Sequence, residues 1–238
     1  MINKYIIFCC FFFLLNCNED IKTTFSETTI STDNNDVVIV NIPKAYGNET
    51  IINQINSEIN KTVVAALYIG ESDSVPHISI EESITNFNKE YQSFKTNFSE
   101  SKQIWEAQID GEILYQSPEI MSIVITSYIN TGGVHGNLNI SFLNFNSETG
   151  NLIHNKDLLK NIVAFKEIAK TYFDEAIKDN DVLFDSKSFQ LPTNIAYNEE
   201  GIVLLYNTYE IAPYSSGIIE FTIPFEKVSN FLVFNSSY

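Results

Sequence analysis

The run EIMSIVITSYINTGGVHGN, Glu119 to Asn137, decides the fold. Met121, Ile123 and Ile125 alternate with Ser122, Thr126 and Tyr128, the period of two that marks a half-buried strand. A second strand-like run, LNISFLNFN, follows at Leu138. Between them, NTGGVHGN (Asn130 to Asn137) reads as a seven- or eight-residue hairpin loop. The chain has nine glycines and three histidines, and three of the former and one of the latter fall in this loop. Gly132, Gly133 and Gly136 have access to positive φ, which other residues reach only at a cost.

Outward from this hairpin, strands and helices lie on both sides. Val38, Val40 and Ile42 alternate in DVVIVNIPK, predicting a strand ended by Pro43. Ile52, Ile55, Ile59, Val63 and Leu67 recur at helical spacing. A second helix opens with Ser79 and Glu82 in a capping box and carries Ile84, Phe87, Tyr91, Phe94 and Phe98 on one face. IWEAQIDGEILYQS predicts a hairpin turning at Asp110–Gly111. Downstream, Leu158, Ile162, Phe165, Ile168, Ala169, Tyr172, Phe173 and Ala176 predict one helix from Asp157 to Ile177. NIAYNEEGIVLLYN predicts a hairpin with Glu200–Gly201 in its turn. IIEFTIPF is a last strand, and Pro224 starts a short helix. Grouped strands point to α+β, with largely antiparallel sheet(s) and helices packed on one face. The expected divisions are an N-terminal α+β domain at 37–146 and a C-terminal one at 147–238, packed as one compact body.

The 238 residues carry a formal net charge of −16, which repels nucleic-acid phosphates and draws in cationic partners. The N-terminus, MINKYIIFCCFFFLLNCNED, pairs Lys4 with an apolar run from Ile6 to Leu15. As a helix that run spans roughly 15 Å, too short for a bilayer core of about 30 Å, so a secretory signal is expected rather than a membrane span. Leu14-Leu15-Asn16-Cys17 resembles a bacterial lipobox, which implies a signal peptide at 1–16 and a lipidated Cys17. The only cysteines are Cys9, Cys10 and Cys17, so a chain cut before Cys17 keeps no internal thiol pair. Residues 17–36, rich in Thr, Ser, Asn and acids, are expected to be a flexible tether. Glu19 and Asp20 after the cysteine resemble signals for the outer cell surface.

His77, His135 and His154 lack metal-ligand spacing, so no metal site is expected. No nucleophile motif occurs, and no cofactor is expected. A second concentration, YNTYEIAPYSSG (Tyr206 to Gly217), crowds tyrosines around Glu210. Glu210 is open to two readings, a general acid–base partner of His135 or an acceptor for backbone donors at a bend. Glu81–Glu82 and Glu199–Glu200 read as a helix-dipole complement and a solvated turn.

SYINTGGVHGN, NFNSETGNLI, FQLP, YEIAPYSSG and EFTIPF, in that order, resemble a pair of adjoining extracytoplasmic domains of unknown function. Such a pair occurs in lysozyme-sensing anti-sigma factors of the RsiV kind and beside the catalytic domain of peptidoglycan deacetylases of the PdaC kind. The resemblance runs from about Val37 to Phe234. It implies an extracytoplasmic α+β binding module connected with lysozyme or the cell wall. Neither sigma-factor control nor deacetylation is expected to carry over, because the segments that perform them are not recognised in this sequence.

The expected function is therefore a non-catalytic, lipid-anchored bacterial lipoprotein of the envelope that binds a cationic lysozyme-like protein or peptidoglycan, and not nucleic acid. The expected contact residues are Gly132, Gly133, His135, Gly136, Asn137, Tyr209, Glu210 and Tyr214. The alternatives are an envelope glycan hydrolase using His135 and Glu210, and a structural surface lipoprotein whose motif residues only shape turns.

Overall fold

The computed structural model describes residues 23–71, 74–177, 183–185 and 187–235. The expected leader, Cys17 and the first residues of the expected tether lie outside them. Among the described residues the fold is α+β, with two sheets. The first sheet runs in the order β1 (Thr24–Ile30), β2 (Val38–Tyr46), β3 (Glu106–Gln116), β4 (Ile120–Asn130), β5 (Asn137–Asn146) and β6 (Leu152–Ile153). Its pairs are antiparallel except β2–β3. A parallel pair needs a long crossover, and two helices supply it, α1 (Glu49–Leu67) and α2 (Ile80–Asn97).

Both helices start where the sequence says they should. Asn48 accepts from the N–H groups of Thr50 and Ile51, and Ser79 accepts from Glu82 N–H, so donors with no helical partner are satisfied. Ile55, Ile59, Val63 and Leu67 of α1 and Ile84, Phe87 and Tyr91 of α2 are buried with Met121, Ile123 and Ile125 of β4. Each such aliphatic side chain contributes about 1.5–3 kcal/mol on burial.

The second sheet is β7 (Asn194–Tyr197), β8 (Gly201–Tyr206) and β9 (Ile219–Pro224), antiparallel throughout. The short helices α3 (Asn155–Leu158) and α5 (Phe225–Val228) and the longer α4 (Ile162–Ala176) complete its core. Phe165, Ala169 and Phe173 of α4 are buried there with Leu204 and Tyr206 of β8 and Ile223 of β9. Tyr115 of β3 and Ile120 of β4 also belong to this core, so the first sheet lends it part of one face.

Several expectations are corrected. The expected tether, 17–36, is ordered from Thr24, where β1 pairs with β2 along its whole length from Thr24↔Tyr46 to Ile30↔Val40. Thr and Ser lower hydropathy without preventing strand formation, and a neighbouring strand supplies the ladder. Pro43 does not end β2. It lies two residues beyond the last β2–β3 pair, Asn41↔Asp110, so it ends that ladder and not the strand. Asp110–Gly111 is no turn but the middle of β3. A Cβ on Gly111 would sit 2.6 Å from Pro43 Cδ and 2.8 Å from Ile125 Cδ1, so glycine is there for close packing. The single helix expected from Asp157 to Ile177 is broken at Leu159, which bridges to Leu232, and Asn161 caps the restart by accepting from Ala164 N–H. Ile162, expected on the buried side, is exposed in the first turn of α4, and Phe98 is exposed past the end of α2. Glu200 lies in the β7–β8 turn, and Gly201 already begins β8.

The two sheets meet along β5 and β7 through side chains. Asn207 takes both backbone groups of Ile140: Ile140 N–H donates to its Oδ1 at 2.8 Å, and its Nδ2 donates to Ile140 O at 2.8 Å. Phe142 N–H donates to Asn194 Oδ1 at 2.8 Å. Deeper in, Tyr197 N–H donates to Ser122 Oγ at 3.2 Å, Ser122 Oγ donates to Asn144 Oδ1 at 2.6 Å, and Asn144 Nδ2 donates to Ile195 O at 2.8 Å. Ser122, Asn144 and Asn194 are all buried. β6 lies beyond the expected division at 146/147, yet it pairs with β5 and extends the first sheet.

Asn144→Ala leaves Ser122 and the Ile195 carbonyl without their partner in a dry seam. It is expected to lower stability by about 1–3 kcal/mol in urea unfolding, and an unchanged midpoint would contradict the seam. Gly111→Val overpacks the contact with Pro43 and Ile125, with an expected loss of about 1–3 kcal/mol by the same measurement.

Candidate functional site

The β4–β5 loop and the β8–β9 bend are far apart in sequence and meet at one end of the molecule. Asn207, at the start of the bend, is the outermost rung of the seam, so its grip on Ile140 brings the bend beside the loop. There the His135 ring stacks on Tyr214, with centroids 3.9 Å apart and planes 19° apart. Tyr209 lies 5.8 Å from Tyr214, centroid to centroid. Both tyrosines are exposed and Val134 is fully exposed, an apolar side chain at the tip of a loop.

The loop is held from behind. Asn130 Oδ1 accepts from Gly132 N–H at 2.9 Å, and Gln103 Nε2 donates to Gly132 O. Gly132 has φ +91, a conformation that favours glycine. Gly136 serves a different purpose: a Cβ there would fall 2.3 Å from the Tyr128 ring tucked beneath it. Gly133 takes no positive φ, and a Cβ there would sit 3.3 Å from His135 O, so only Gly132 of the three expected glycines uses the left-handed region. Asn137 is exposed and begins β5, paired with Ile129.

The bend is held by Glu210. Its Oε1 accepts from Thr193 N–H at 2.9 Å and Thr193 Oγ1 at 3.1 Å, and its Oε2 accepts from Asn207 N–H at 2.9 Å. Of the two readings open for Glu210, the backbone acceptor is the one this geometry fits. His135 Nδ1 lies 3.3 Å from Gly136 O, and no hydrogen bond joins His135 to Glu210 among the described residues. The turn that Glu210 closes holds Tyr209 at φ +68, a left-handed conformation that is costly for a bulky residue. That strained backbone places an exposed ring beside Tyr214.

Behind the bend lies a cavity of about 390 Å³, walled by Phe173, Phe184, Phe189, Tyr206 and Ile211. Tyr206 hydroxyl donates to Gln190 O. Burial, and then the nearby Glu210 charge, push the Tyr206 phenol far above its ordinary range, so it remains a donor. Among the described residues no group of three His, Cys, Asp or Glu could hold a metal ion, and no helix is long and apolar enough to cross a membrane.

Of the expected residues, the structure groups His135, Tyr209 and Tyr214 at one surface, with Gly132, Gly136 and Glu210 as supports. Sequence reasoning missed Val134, Asn207, Thr193 and Gln103. Only Val134 carried a local signal, an aliphatic residue at the centre of a glycine-rich loop.

The protein is thus a two-sheet α+β body presenting two braced loops at one end. Residues 30–138 match the family model described as deacetylase PdaC, and residues 150–226 match that of a protein family of unknown function, DUF3298. The paired arrangement expected from the motifs is therefore present. A search of curated proteins gave no significant match. Among solved structures, a DUF3298 family member from Bacteroides fragilis superposes with a TM-score of 0.64 at 18% identity, covering 90% of this chain and 94% of that one. A DUF3298 family protein from Pseudomonas aeruginosa gives 0.58 at 19% identity, covering 90% and 95%. At such identities the likeness is one of fold.

Glu210→Gln turns one of the two acceptor oxygens, which face the Thr193 and Asn207 N–H groups, into a donor. It is expected to cost about 1–3 kcal/mol in thermal or urea unfolding, whereas Tyr214→Ala, at the surface, changes the midpoint by less. The reverse order would remove the bracing role of Glu210.

Proposed function

We propose that this protein is a lipid-anchored, extracytoplasmic binding module whose two clasped loops capture a cationic, lysozyme-like protein. The observation that carries the reading is the exposed His135–Tyr214 stack flanked by Val134 and Tyr209 and braced from behind. Aromatic side chains offer large contact area at low entropic cost, and bracing reduces the ordering that binding would otherwise require. The net charge of −16 favours a cationic protein by steering and by complementarity. The resemblance to sensor regions of the RsiV kind supports the choice of partner. The apolar leader and Cys17 support the anchor, since two or three acyl chains hold a protein stably at a bilayer.

Titration of the soluble body with lysozyme at low and moderate salt, with peptidoglycan in parallel, tests this. Lysozyme is expected to bind, more weakly as salt rises, with Val134→Lys and Tyr214→Ala each weakening it at least tenfold, about 1.4 kcal/mol. Binding to peptidoglycan alone would move the assignment to a wall glycan. Variants that lower stability without affecting binding would leave the loops a structural role only.

A further inference from the structure

The strand register gives the body two ends. At one end Gln116, the last residue of β3, donates from Nε2 to Thr23 O at 2.8 Å, and Thr24 pairs with Tyr46. The β3–β4 turn and the β5–β6 turn lie at this end, because Gln116 pairs with Met121 and Ile120 with Asn146. At the other end Glu106 pairs with Asn130, Ile129 with Asn137, and Val38 with Ala107. That end carries the β1–β2 link and the 130–137 loop with its His135–Tyr214 stack. The eleven residues of β3 separate the two ends by about 33 Å.

The geometry points to a body that stands on the membrane by its Thr23 end and holds the aromatic loops outward. This rests on the lipid-anchored reading of Cys17. Six peptide steps separate Cys17 from Thr23, and in any conformation they span at most about 22 Å. The Thr23 end therefore stays near the bilayer, whereas a tether running to residue 36 would have let the body turn freely. Val134, Tyr209 and Tyr214 at the loop end meet that surface only if the body tips over on its short tether. The chain is strongly acidic, which opposes its lying flat on anionic head groups. The loops then meet a soluble partner, and not lipid, at a height set by the length of β3.

Fluorescence energy transfer to a head-group acceptor tests this on the full lipidated protein in phosphatidylglycerol-containing vesicles. Asp33→Cys and Glu148→Cys place labels at exposed positions of the two ends, outside the aromatic surface. Transfer from position 148 is expected to exceed transfer from position 33 at least about twofold, as a 33 Å difference in height requires. A Gly/Ser insertion of about 20 residues after Asp20 is expected to bring the two values together. Equal transfer without the insertion, or stronger transfer from position 33, overturns the orientation. Flotation with the vesicles reads the anchor separately: protein that fails to float overturns the anchor, and the orientation with it, while leaving lysozyme binding by the soluble body as it was measured.

Discussion

The edge of β5 is the constraint on which the rest depends. Its Ile140 and Phe142 N–H groups would be left without partners where the short β6 stops, and buried backbone donors are costly to leave unmade. Side chains from the second sheet close that edge: Asn207 on Ile140, Asn194 on Phe142, and the chain of bonds through Ser122 and Asn144 below. The polar face of β4, which alternation assigns to water, is instead dry at Ser122 because β7 lies over it. This seam fixes where the second sheet sits. Asn207 is both its last rung and the first residue of the β8–β9 bend, so the same bonds set the surface where His135 meets Tyr214.

Helical spacing made α1 and α2 legible, because each packs one stripe against one face of one sheet, and their caps are local. The last three strands were legible because their apolar runs and the turn between the first two are local signals as well. What was misread depended on distant partners. Gly111 looks like a turn residue until Pro43 and Ile125 are seen filling the space of its missing side chain. Apolar periodicity runs unbroken from Leu158 to Ala176, but Leu159 leaves the helix to bridge Leu232, in a distant segment that spacing cannot reach. The two loops could each be picked out by composition. Their meeting could not, since it depends on Asn207, which looks like any polar residue at a strand end.

The supports around the site divide into two kinds. Asn130, Gln103 and Glu210 satisfy backbone groups and hold the loops in shape. His135, Tyr209, Tyr214 and Val134 satisfy nothing inside the protein that solvent could not satisfy as well. Tyr209 keeps an unfavourable backbone conformation while its ring stays exposed. A fold rarely retains strain of that kind at a bulky residue unless the position of the side chain matters.

The ordering of β1 bears on how the protein should be handled. Residues 24–30 look like dispensable linker, and a soluble version trimmed to begin at Val37 would look tidy. Such trimming would strip an entire strand and bare the rim of β2, a run with Val38, Val40 and Ile42 along it, to any passing chain. Clumping of such a shortened product would then reflect a missing neighbour and not an unstable core, and recombinant versions are better begun ahead of Thr23.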